Sequence, residues 1–207
     1  MQTAATDDTQ TGALRVIPAH DAPFDDVVAV FGTKGDPAHC WCQWYKIPRT
    51  DFNRTDDEDL RDLLEAQVKA GDTGPGLLAY DGDTPVGWCA VEPRPNLERL
   101  SHSRIIAGGT PDPDFDDPSI WSVTCFVVPR AYRKRGVGRA LAEAAVEYAR
   151  VRGARVLEAY AIDPAVRSGA PAADLFHGTV TMFEKAGFAV VARPKDDRAI
   201  MQLRLRD

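Results

Sequence analysis

The chain has 207 residues, with 25 Lys and Arg against 31 Asp and Glu, a formal charge of −6. A net negative surface is not drawn to polyanions, which speaks against a nucleic-acid or anionic-membrane binder. Its 44% hydrophobic and 27% charged content is globular, and no apolar run nears the ~20 residues of a bilayer crossing.

Residues 1–13 are polar and are expected to form a flexible tail ahead of one domain over 14–207. The opening stretch has neither a basic nor an apolar signal region, so a cytoplasmic protein is expected. Leu14, Val16 and Ile17 predict a short strand, and Phe24 to Phe31 a short helix. The aromatic segment His39-Cys-Trp-Cys-Gln-Trp-Tyr45 falls before a second helix. Thr55-x-x-Glu58 reads as that helix's capping box, Leu60, Leu63, Leu64 and Val68 as its apolar stripe, and Gly71 as its stop. A hairpin follows: Gly76 to Tyr80 and Val86 to Val91 flank the turn Asp81-Gly82-Asp83. Residues 93–118 are rich in Pro, Gly and Asp and interrupt regular structure, with room for one short element in Leu97 to Ile106. Ile120 to Val128 predicts a buried strand, Gly136 to Arg152 an amphipathic helix, and Val156 to Ala161 another strand. After an irregular insertion at 162–178 come a short helix (179–185) and two strands (187–191 and 199–205). The pattern is α+β (mixed α/β) around one sheet.

Chemistry concentrates between the strand at 120–128 and the helix at 136–152. There the chain reads Val128-Pro-Arg-Ala-Tyr-Arg-Lys-Arg-Gly-Val-Gly-Arg139. Gly136 and Gly138 let backbone N–H groups approach a ligand, and the helix N-terminus adds an oriented dipole. Arg130, Arg133, Lys134, Arg135 and Arg139 add positive charge on an acidic chain. Together these make a diphosphate site. The six residues Arg-x-x-Gly-x-Gly alone arise by chance in about 5% of chains this long, so their place between strand and helix is what carries weight. The nucleotide loop G-x-x-x-x-G-K-[ST] is absent, and G-x-G-x-x-G fails because Leu141 takes its last position.

Arg133 to Gly138, after the strand end Phe126-Val-Val-Pro129, resembles the signature [RQ]-x-x-G-x-[GA] of the GNAT family of N-acetyltransferases. Met182-Phe-Glu-Lys-Ala-Gly-Phe188 resembles the late helix and strand of that family. The resemblance covers roughly 14–205. It implies a central mixed, mostly antiparallel sheet splayed between two strands and flanked by helices, with acetyl-CoA as cosubstrate and no metal. It also implies that Arg135, Gly136, Val137 and Gly138 hold the diphosphate by their amides, with charge from Arg133, Lys134 and Arg139. Phe126, Val127 and Val128 would splay from Val156 to Tyr160 to receive the pantetheine arm, with Phe183 along the same groove. Trp41, Trp44 and Tyr45 would wall the acceptor pocket, or else plug the core. The acceptor would be a primary amine, of a small molecule rather than a protein, and a homodimer is compatible with such a sheet.

The chain departs from the family where protons move. Ile120 to Val128 holds no carboxylate, and Phe183 stands where many members have a tyrosine acid. Glu92 and Glu158 are the replacement bases, Tyr160 and His177 the candidate acids. These departures leave open a non-catalytic acyl-CoA-binding or regulatory module of the same fold.

Overall fold

The computed structural model describes residues 14–32, 34–71, 73–166 and 172–206, the side chains of 172–174 excepted. The expected tail at 1–13 lies outside them. Seven strands form one open sheet: β1 Arg15–Pro18, β2 Gly76–Asp81, β3 Thr84–Pro93, β4 Ile120–Val127, β5 Val156–Ile162, β6 Ala189–Lys195 and β7 Arg198–Arg204. Their spatial order is β1-β2-β3-β4-β5-β7-β6, and every pairing is antiparallel except β4 with β5. A parallel pair needs a crossover, and the long helix Val137–Val151 supplies it.

Among the described residues seven helices, numbered in chain order, flank the sheet: α1 Phe24–Phe31, α2 Asp36–Cys40, α3 Arg49–Phe52, α4 Asp57–Lys69, α5 Arg104–Ala107, α6 Val137–Val151 and α7 Val180–Lys185. Alternation along the strands sorts the core to two faces. Leu77, Ala79, Cys89 and Val91 meet Leu141, Ala145 and Ala149 of α6, whereas Leu78, Tyr80, Trp88 and Ala90 meet α1 and α4. Each large side chain so enclosed contributes roughly 1.5–3 kcal/mol.

Three local expectations are corrected. The N-cap of α4 is Asp56, whose carboxylate accepts from the Asp59 amide at 2.9 Å, while the Thr55 hydroxyl donates to the Asp51 carbonyl at 2.8 Å. A carboxylate at a helix N-terminus gains from the dipole as well as the hydrogen bond, so it outcompetes the neighbouring hydroxyl. Residues 94–107 hold more than the one short element expected in Leu97 to Ile106: two 3-10 turns (94–96 and 98–100) and α5 fold back over the sheet. The penultimate strand starts at Ala189 and runs to Lys195, longer than its apolar residues suggest, because as an edge strand it exposes alternate side chains.

The sheet opens in its middle. β4 and β5 pair from Ile120 with Val156 to Val123 with Ala159 and then part. Beyond that point β4 stays with β3 (Phe126 opposite Cys89), and β5 stays with β7 (Tyr160 opposite Ile200). The divergence therefore lies between Thr124–Val127 and Tyr160–Ile162, further along β5 than the expected Val156 to Tyr160. At its far end the chain entering α7 returns: the Ile162 amide donates to the Gly178 carbonyl at 3.0 Å, and Thr179 bridges Ile162.

Candidate functional site

The turn between β4 and α6 is exposed from Arg133 through Gly136. Gly136 is the N-cap of α6 at φ +83°, a left-handed conformation that a side chain resists, and no side chain caps the helix. The amides of Val137, Gly138 and Arg139 therefore stand in a first turn with no intrahelical acceptor and no capping oxygen. An oxyanion at that point meets donors and the positive end of a fifteen-residue helix. The Arg133 Nε donates to the Val128 carbonyl at 2.9 Å, which ties the basic turn to the end of the strand. Arg139 is paired with Glu143 at 2.7 Å. Gly138 lies close to α7, where an added Cβ would come within 3.2 Å of the Met182 sulfur.

Phe126, Val127 and Val137 are buried, and Val128 is half-buried. Phe183 has no exposed surface and packs in a cluster with Phe126 and Phe188, so its ring supports the groove from within the core. No hydroxyl replaces it there.

The four candidate proton carriers have different surroundings. Glu158 is fully enclosed. One carboxylate oxygen accepts from the Tyr160 hydroxyl at 2.8 Å, and the other accepts from Thr110 at 2.6 Å and Gln202 at 2.7 Å. The guanidinium of Arg94, equally enclosed, lies 3.6 Å away and also donates to the carbonyls of Asp112 and Asp114. Tyr160 is held between Glu158 and the Ser122 hydroxyl at 3.0 Å, and burial followed by the Glu158 charge pushes its hydroxyl well above the usual range. Glu92 is buried against the Lys46 ammonium at 2.7 Å; burial raises its carboxyl and Lys46 opposes the rise. These residues form a polar row across four strands, Glu92 opposite Ser122, Ser122 opposite Glu158, and Glu158 opposite Gln202. Ser122, Tyr160, Glu158 and Gln202 are joined by hydrogen bonds, while Glu92 is paired with Lys46 outside the row.

His177 differs. It ends a 3-10 turn that packs against both β4 and β5 beside their divergence. Burial, then the charge of Arg198, lowers the ring to about 4, partly offset by the Thr124 backbone, so the imidazole is neutral at pH 7. Its Nε2 lies 3.5 Å from the Tyr45 hydroxyl, and its buried Nδ1 makes no well-formed hydrogen bond among the described residues. Both rings line a cavity of about 340 Å³ together with Ile106, Tyr160, Arg198 and Ile200. Tyr160 is also the first β5 residue past the last pair with β4, so the cavity adjoins the divergence.

Of the aromatic segment, Tyr45 alone lines this cavity. Trp41 is core: it is buried and stacked on Phe31 at 5.0 Å. Trp44 packs edge-on against Phe52 under the Arg99 guanidinium. An indole with no nearby polar partner is stabilised most by burial, which favours the plug over the wall for Trp41. Arg94 and Arg198 carry no motif in the sequence; only the fold brings them to Glu158 and to the cavity.

The family model of the acetyltransferase (GNAT) family matches residues 41–178. Among solved structures, a GCN5-related N-acetyltransferase from Kribbella flavida is 21% identical, with a TM-score of 0.52 over 93% of this chain and 98% of that one. The yncA protein from Salmonella typhimurium, solved with its cofactor acetyl-CoA, is 18% identical with a TM-score of 0.51 over 95% and 96%. At these identities the likeness is one of fold. No curated protein matches the sequence.

Proposed function

Because the chain belongs to the acetyltransferase (GNAT) family, we propose that it is an N-acetyltransferase, passing acetyl from acetyl-CoA directly to a primary amine of a small molecule. The observation that carries this reading is the uncapped N-terminus of α6, reached by the exposed basic turn Arg133 to Gly136, beside the divergence of β4 and β5. The amides of Val137 to Arg139 would take the diphosphate, with Lys134 and Arg135 adding charge. The facing backbone edges of Thr124–Val127 and Tyr160–Ile162 suit an amide-rich arm, by the same main-chain pairing that adds a strand to a sheet.

In the transfer, an N–C bond forms as the thioester C–S bond breaks; the nitrogen loses a proton and the departing sulfur gains one. An alkylamine near ~10.4 is almost wholly protonated at pH 7, so the site must select or generate its neutral form. Glu158 and Tyr160 are committed to one another and to Arg94, and Glu92 to Lys46. His177 keeps a neutral imidazole on the cavity wall, and we assign it to receive the amine proton. Tyr45, kept protonated by burial, is assigned to protonate the leaving sulfur, the role that Phe183 cannot fill.

Calorimetry with acetyl-CoA, ATP and NAD, followed by thiol release on a panel of primary amines, tests this reading. Acetyl-CoA is expected to bind most tightly and at least one amine to be turned over. Saturable CoA binding with no turnover of any amine would instead indicate a non-catalytic acyl-CoA module, and tighter ATP or NAD binding a nucleotide site.

A further inference from the structure

The β6–β7 hairpin closes the cavity on one side with Lys195, Asp197 and Arg198. Arg198 opens β7, is held opposite Ile162, and lines the cavity half-buried. No carboxylate among the described residues forms an ion pair with it. The other arginines around this end of the sheet are paired: Arg94 with Glu158, Arg155 with Asp112 and Asp117, and Arg193 with Asp163. Lys195, which is exposed, and Asp197 line the same wall. Arg198 lines the cavity together with Tyr45 and His177.

A guanidinium is always charged, and its planar fork matches an oxyanion with two parallel N–H···O bonds. Half-buried in a small cavity and with no ion-pair partner among the described residues, it is a receptor for an anion brought by the ligand. Ile105, Ile106, Pro194 and Ile200 add apolar surface to a wall that is otherwise polar. A volume of about 340 Å³ is at the small end for ligand sites, which suits a molecule of amino-acid size.

We infer that the acceptor is a small primary amine that also carries an oxyanion, a carboxylate or a phosphonate, and that Arg198 receives that group while the amine is presented at His177. The inference rests on the acetyl-transfer reading for the fate of the amine, but not for recognition of the anion.

The test compares L-amino acids with their C-terminal amides, their decarboxylated amines and the matching aminoalkylphosphonates. It uses wild type, Arg198→Lys and Arg198→Met, with circular dichroism to verify folding. Binding is measured by calorimetry, and kcat/KM is expressed per neutral amine so that differences in amine basicity drop out. Wild type is expected to prefer one oxyanion series over its amides by roughly 100-fold, as a site built to pair a polar group rejects the analogue that lacks it. The preference should fall towards unity in Arg198→Met and be partly kept in Arg198→Lys, and the favoured series tells carboxylate from phosphonate. Equal use of amides and acids by wild type overturns the inference and leaves the transferase reading standing. So does a preference that survives in folded Arg198→Met. Oxyanion binding that requires Arg198, without turnover of any amine, upholds the inference while the transferase reading fails. Absence of binding by either series overturns it.

Discussion

At the scale of single residues, His177 is held neutral by its surroundings. Tyr45, Tyr160 and Arg198 share its cavity, and the Thr124 backbone lies behind it. The folded ring titrates at about 4, against about 6.5 in an unfolded chain. Above pH 6.5 neither state holds the proton, and the stability from burying a neutral ring is fully present. Between 6.5 and 4 the unfolded chain takes up a proton that the folded one refuses, so stability falls as pH falls, by of order 3 kcal/mol at pH 4. Below 4 both states are protonated and the loss levels off. Urea unfolding of wild type and His177→Gln at pH 7 and pH 4.5 isolates this contribution, because other titrating groups cancel in the difference. The wild type is expected to lose the advantage it holds at pH 7; parallel behaviour of the two proteins would show that the ring is not held neutral. None of this is legible in the sequence, where Phe-His-Gly looks like any loop. Glu158 was equally opaque: alternation places it on one face of its strand, but Arg94, Thr110 and Gln202, which enclose it, come from segments 44 to 64 residues away.

At the scale of elements, signals written into consecutive residues are legible. The β4–turn–α6 unit could be read because strand, glycines and amphipathic face lie within one stretch of sequence, and its structure has an uncapped helix at the expected glycine. The hairpin at Gly82 and the α4 stripe of Leu60, Leu64 and Val68 belong to the same class, although Leu63, expected in that stripe, is exposed. The one-turn helices α2 and α3 escaped because four or five residues give no periodicity to detect, and α5 was legible only as an untyped short element in Leu97 to Ile106. The α6 terminus also allows binding and folding to be separated. A Cβ at Gly136 would meet no atom within 4 Å, so a substitution costs only its left-handed backbone, about 1 kcal/mol and less for aspartate, which visits that region more readily. The same aspartate would set a carboxylate against the amides offered to the diphosphate. Gly136→Asp is therefore expected to raise the Kd for acetyl-CoA at least roughly tenfold, with the unfolding midpoint little changed. Calorimetry and thermal unfolding on one preparation check both halves; unaltered affinity would remove the diphosphate from this turn.

At the scale of the whole molecule, the charge of −6 and the basic turn pull a polyanionic ligand in opposite directions, and distance decides between them. The acidic residues are distributed along the whole chain, and the repulsion of those farther from the ligand than the ~10 Å Debye length at 0.1 M salt is largely screened. Arg133, Lys134 and Arg135 are exposed within contact range of a ligand on α6, and their attraction persists until the screening length approaches contact distance. Exposed pairs contribute ~0–1 kcal/mol each, so three of them amount to roughly a tenfold change in affinity. Raising NaCl from 0.05 M to 1 M should therefore weaken acetyl-CoA binding by about that factor, with most of the change above 0.1 M. Below 0.1 M the body's repulsion re-emerges and flattens the curve, so the log–log plot should bend rather than run straight. The acceptor's KM should respond less, because Arg198 is half-buried and ions screen it poorly. Titrating both ligands across the salt series separates the two sites: a steep acceptor dependence beside a flat one for acetyl-CoA would mean that the exposed turn is not where the polyanion binds.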